Sequence, residues 1–229
     1  LFSQRQEHHL KIARWYLKRS NNSSSASLGS DVVASDGSTA IVAHHLFSAV
    51  ACGNRDSDII KSAIDNNLLL AKIEIRISPF QAEPYLQKCL TLLEHVAVAN
   101  THKKKWMCQT NGLLGQVHQA MYGFNSEKMR DYYTEALKHC EKSKNKIPIL
   151  WNLGIHYIMR ADEKMNNITD ELVTTMKENQ EKGIELQIEH AYFPLLLQRG
   201  SVQELLQSTQ VVMTNYVAAQ HMEMSGSFG

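Results

Sequence analysis

The chain has 229 residues, 43% of them apolar and 21% charged, the proportions of an ordinary folded protein. Its 24 Lys and Arg against 23 Asp and Glu leave a formal net charge of +1, which removes any general electrostatic case for nucleic acid or an anionic membrane as partner. Only 11 Gly and 4 Pro are present, too few turn residues for a β-sandwich or barrel, so helices are expected throughout.

Gln4–Arg19 reads as the first helix, with Ile12, Ala13, Tyr16 and Leu17 inward. The chain opens on Leu1 rather than Met and is helical in pattern from its first residues, so a segment of a longer protein is expected. His8 and His9 lie near the helix start, but neighbours on a helix diverge by about 100° and make a poor chelating pair. Residues 20–38 contain eight Ser and no hydrophobic period; they read as a flexible loop inside a domain, either a tolerated insertion or a phosphorylated regulatory loop. The next helix is Thr39–Ala51, with Ile41, Val42, His45, Leu46 and Ala49 inward. Cys52-Gly53-Asn54 ends it, and Asp56 or Ser57 caps a helix from Asp58 to about Glu74. The tail Ile73–Ile77 alternates like a strand, yet a lone strand among helices has no partner, so helix is kept.

Ser78-Pro79 reads as a break, and Pro84 as the first turn of a helix running to Ala99 with Leu86, Leu90, Leu93 and Ala97 inward. In Lys105–Cys140, two apolar stripes flank Gly123-Phe124-Asn125-Ser126: Trp106, Thr110, Leu113, Leu114, Val117 and Met121, then Met129, Tyr132, Tyr133, Ala136, Leu137 and Cys140. An antiparallel helix pair with a short joint is expected, capped by Asn125 or Ser126, with Trp106 as a core anchor. Ser143–Ile147 reads as a polar connection and Pro148 as the start of the following helix. Its partner spans Asn166–Asn179, with Asn166 or Thr169 capping and Ile168, Leu172, Val173 and Met176 inward. Gly183–Arg199 follows, kinked at Pro194, then a turn at Gly200-Ser201 and a helix over Val202–Met222 with Leu205, Leu206, Thr209, Val212, Met213 and Tyr216 inward.

Leu114-Gly115 and Leu153-Gly154 fall at matching places in two helices, 39 residues apart, where a small residue admits a close partner. Each helix pair is too small to bury its own apolar face, so stacking on neighbours is required. Trp151-Asn152-Leu153-Gly154-Ile155-His156-Tyr157 resembles the tetratricopeptide pattern, one residue short in its first gap, with Ala136 as the small residue of a second helix. The fold class expected is all-α: antiparallel helix pairs stacked as a tetratricopeptide-like solenoid.

No phosphate loop, dinucleotide fingerprint, zinc-protease or nucleophile-elbow motif is present. His44, His45, His95, His102, His118, His139, His156 and His190 show no spacing that builds a three-ligand metal site, and packed, hydrogen-bonded histidines are the simpler reading. His139-Cys140 diverge on a helix and cannot form a nucleophilic dyad. Cys52, Cys89, Cys108 and Cys140 lie far apart in helical patterns, where free thiols act as small apolar filler; this suggests a reducing compartment and unused sequons at Asn21, Asn22 and Asn167. Lys103-Lys104-Lys105 reads as a solvated helix end. Catalytic, cofactor-binding and metal residues are therefore all expected to be absent from this segment. His118 and Gln119 are the nearest to candidates for a concave binding surface.

Gln4-Arg5-Gln6-Glu7-His8-His9-Leu10-Lys11-Ile12-Ala13, Ile41-Val42-Ala43-His44-His45-Leu46-Phe47-Ser48-Ala49, Ile60-Lys61-Ser62-Ala63-Ile64 with Ala71, and Tyr85–Leu93 follow one another in an order that resembles the region after the NTPase core of STAND-type signalling proteins. The downstream helices resemble the tetratricopeptide array of soluble-type class III adenylyl cyclases. The Ser-rich loop is longer than the usual connection. The resemblance implies that residues 1–75 are a helical region closing an NTPase module and that 76–229 are tetratricopeptide-like repeats. It implies a cytoplasmic regulatory and protein-interaction segment, binding a protein partner or the NTPase or catalytic part of its own chain. Cyclisation of ATP to cyclic AMP would then belong to domains outside the segment, which is itself neither an enzyme, nor a cofactor carrier, nor a membrane span. The alternative is a stand-alone tetratricopeptide scaffold for complex assembly.

Overall fold

A computed structural model describes residues 2–23, 37–97, 101–179, 192–194 and 196–215. Among the described residues the regular structure is α-helix, without a strand: α1 (Phe2–Ser23), α2 (Ser38–Ala51), α3 (Ser57–Ile77), α4 (Pro79–Glu94), α5 (Thr101–Tyr122), α6 (Glu127–His139), α7 (Ser143–Met159), α8 (Lys164–Asn179) and α9 (Val202–Asn215). Residues 192–194 and 196–199 are helical as well. The all-α expectation holds. No helix among these is long and apolar enough to cross a membrane. The chain divides into two compact units, Leu1–Val117 and His118–Gly229. The functional boundary implied near residue 75 lies inside the first, at the joint between α3 and α4.

In the first unit each helix packs on the next: α1 on α2, α2 on α3, α3 on α4. Ala13, Val42, Leu46, Ala49, Ile60, Ala63, Ile64, Ala71, Leu86, Cys89 and Leu93 form its buried interior, largely the positions that helical periodicity marks. Asp56 caps α3, its Oδ1 accepting from Asp58 N at 2.9 Å and Ile59 N at 3.4 Å. The alternating tail of α3 is helical to Ile77, and Ile77 is exposed.

Two proline expectations are corrected. Helix α4 opens on Pro79, and Pro84 is its sixth residue; α7 opens on Ser143, and Pro148 is its sixth residue. Each proline withholds an N–H from the carbonyl four residues earlier, Phe80 and Lys144 respectively. Both prolines are exposed, so water can serve those carbonyls and the helix continues. Helix α4 also stops at Glu94 rather than Ala99: His95 and Val96 bond back to the Leu92 and Leu93 carbonyls, and Lys103 Nζ donates to Val96 O at 2.8 Å.

In the second unit α6 packs on α7 and α7 on α8. Ile147, Leu150, Trp151, Leu172, Val173 and Met176 form its core, with Leu137, Ile155, Ile168 and Tyr192 against it. Gly123, at φ +75°, turns the chain out of α5, and Ser126 caps α6 by accepting from Met129 N at 3.2 Å. The residue serving the start of α8 is Asp162, which accepts from Lys164 N at 2.9 Å, rather than Asn166 or Thr169. Thr169 instead turns inward and donates to Met165 O. On α9 the expected inward residues Leu206 and Met213 are 59% and 76% exposed, while Ser208 is buried, so that helix is rotated from the face its apolar residues suggest.

Most of the Ser-rich stretch 20–38 lies outside the described residues, although α1 reaches Ser23 and α2 begins at Ser38. The same holds for most of the helix expected over 183–199, with His190, and for everything past residue 215.

Candidate functional site

Helices α1 and α2 each carry a His-His pair, and their packing brings the two pairs together. His9 Nδ1 and His45 Nδ1 lie 2.8 Å apart. The His44 ring centroid is 5.1 Å from that of His45 and 6.4 Å from that of His9. At the contact distance one ring must carry a proton on Nδ1 and the other must present a lone pair. Burial lowers the affinity of His9 for a second proton, and the neighbouring His44, His8 and Arg5 lower it further. His45 is lowered by burial, then by His9 and His44. Beside the pair, an open groove of about 580 Å³ is lined by Gln4, Arg5, His8, His9 and Ile12.

Periodicity excludes chelation by neighbours within one helix, and that argument stands. Docking of one helix on another created the contact, which periodicity does not describe. The available signal was His45 on the expected inner face of α2 together with a second His-His pair on the helix before it. Among the described residues, no three His, Cys, Asp or Glu side chains are arranged to hold a metal ion.

A second polar assembly joins the end of α7 to the 123–126 joint. His156, 1% exposed, has its Nδ1 2.6 Å from Phe124 O, which makes Nδ1 the protonated nitrogen and leaves Nε2 buried without a partner. Arg160 donates to Asn125 O at 3.2 Å and pairs with Glu127, which also pairs with Arg130. The groove candidates are occupied in packing. The ring of His118, 2% exposed, lies 5.5 Å from that of Tyr122 and 5.2 Å from that of Tyr132. Gln119 Oε1 accepts from the Tyr133 hydroxyl at 3.0 Å.

The remaining histidines among the described residues are His95, His102 and His139. His95 is exposed at the end of α4, and the ring of His102 lies 5.6 Å from Trp106. His139 Nε2 is 3.1 Å from Glu135 Oε1, whose carboxyl is held down by a hydrogen bond from Lys138 and then by His139.

Cys52 and Cys89 are free. Burial pushes the Cys89 thiol up to about 12, and its Sγ lies 3.7 Å from Ile64 O. Cys108 and Cys140 are disulfide-bonded. That corrects the expectation of four free thiols and removes the cysteine argument for a reducing compartment. It also leaves no Cys140 thiol for a pairing with His139.

No protein-family model, no curated protein sequence and no solved structure matches the chain.

Proposed function

We propose that this chain is a regulatory, protein-interaction helical-repeat segment of a larger STAND-type signalling protein, with a soluble-type adenylyl cyclase as the parent that the motif order favours. The observation carrying the reading is the packing of helices on their neighbours in sequence, α1 to α4 in one unit and α6 to α8 in the other. Such packing is how repeat arrays bury faces that no single pair can bury alone, and such arrays serve as binding surfaces. The tetratricopeptide-like assignment rests on that packing together with the Trp151–Tyr157 pattern. The STAND assignment rests on the ordered motifs of α1 to α4.

In this reading α1 and α2 close an NTPase module, later helices engage a protein partner or the catalytic part of the same chain, and the setting is cytoplasmic. Nucleotide chemistry belongs to other domains.

The coding sequence upstream of Leu1 tests the proposal. A phosphate loop followed by a strand ending in metal-binding acids is expected there. Further helical repeats on both sides without an NTPase would replace this reading with the stand-alone scaffold. Cyclic AMP formed from ATP by the purified segment would overturn the assignment of chemistry to other domains.

A further inference from the structure

We infer that the imidazoles shared between α1 and α2 form an acid-released latch, holding α1 on α2 at neutral pH and freeing it as the pH falls. This inference stands on the cluster's geometry and is independent of the parent protein proposed above.

The hydrogen bond between His9 Nδ1 and His45 Nδ1 survives only while one of the two nitrogens is unprotonated. When both rings are imidazolium, each Nδ1 is a donor with no tautomer left to accept, and two cations are set in contact. Helix α1 also supplies Arg5 and His8 to this region, and α2 supplies His44. Among the described residues, no carboxylate is one of the groups acting on either ring. Glu7, beside His8, is tied to Lys11 at 2.9 Å. Among the described residues, no group of α3, which also packs on α2, acts on either ring, and Lys88 of α4 lies over Phe47. Among the described residues, every ionisable group acting on the pair is thus cationic or becomes so in acid, and none is a counterion to the repulsion.

The apolar hold of α1 is slight enough for this to matter. Among its described side chains only Ala13 is fully buried, while Ile12, Tyr16 and Leu17 are half-buried and Phe2 and Trp15 are exposed. The sign follows from linkage. Both rings titrate below the ordinary 6.5 when α1 is docked, so the undocked state binds protons more readily. The latch is fully closed above that ordinary value and opens progressively as pH falls through the lower, docked values.

Amide hydrogen exchange on the whole chain at about pH 7.5 and about pH 5.5, corrected for intrinsic rates, reads the latch directly. Protection across α1 is expected to fall by about tenfold or more at the lower pH, while α3 and α4 keep theirs. In a His9→Gln/His45→Gln variant that pH dependence should vanish. Unchanged α1 protection in the parent protein, or an equal loss in the variant, would overturn the inference. Should the double variant lose its helix content at neutral pH, the imidazole proton shifts of the parent protein decide. His9 and His45 titrating together below 6.5 support the latch; titration at or above it rejects the latch.

Discussion

The Trp106 indole donates its Nε1–H to Asp65 Oδ1 at 3.0 Å, tying α5 to α3 across 41 residues of chain. The ring is 5% exposed whereas Asp65 lies at the surface, so the tryptophan is a core anchor with a polar tip at the protein's edge. The two parts of this contact are separable. Trp106→Ala should destabilise by about 3–5 kcal/mol through the lost ring. Trp106→Phe, which keeps most of the apolar contact, should lose closer to about 1 kcal/mol, because the freed carboxylate can rehydrate. Urea melts of both variants check this, and an unchanged midpoint for Trp106→Ala would remove Trp106 from the core.

Gly154 sits in α7 where periodicity suggests a helix crossing too tight for a side chain. A methyl group there would meet Ile168 Cγ2 at 3.9 Å, ordinary van der Waals contact. Gly154→Ala should therefore gain about 1 kcal/mol, since alanine is the better helix former and the space exists. Gly154→Leu should destabilise by overpacking. Thermal melts that show a loss for the alanine variant would restore the tight-crossing view.

The two free cysteines should differ in reactivity. Cys52 is partly exposed at the end of α2, while Cys89 is fully buried with its thiol raised to about 12. Iodoacetamide near neutral pH should modify Cys52 in the folded protein and reach Cys89 only after denaturation. Peptide mass mapping distinguishes the sites, and native labelling of Cys89 at the rate of Cys52 would contradict the packing of α4 on α3.

Asp56 holds the start of α3 through two backbone N–H groups. Its own N–H donates to Asn54 Oδ1 at 2.9 Å, which fixes the approach to the helix. Asp56→Ala should cost about 1 kcal/mol and Asp56→Asn much less, as asparagine caps nearly as well. Equal losses for both, measured by chemical denaturation, would show that the charge beside the helix N-terminus matters more than the acceptor.

The helices were legible because their signals are local. Asp56 and Gly123 mark boundaries by their own backbone and side-chain chemistry, and the buried stripe of α3, Ile60, Ala63, Ile64 and Ala71, recurs at the helical period. Pro84 and Pro148 misled because a proline early in an apolar run suggests a first turn; facing solvent at the sixth position, each is tolerated. Leu206 and Met213 misled because an apolar stripe shows a preference for burial without showing what is available to bury it.

By itself the sequence determined the all-α class, most helix borders to within a few residues and most of the buried faces of α2 to α8, since these depend on the 3.6-residue period and on residues touching the chain within a turn or two. Tertiary structure alone decided which side chains meet. His9 and His45 are 36 residues apart in the chain, Trp106 and Asp65 are 41, and His156 and Phe124 are 32. None of these pairs shares a helix, so no periodicity relates them. Each contact follows from one helix docking on another element, where a shift of one position along the helix turns a side chain by about 100° and breaks it.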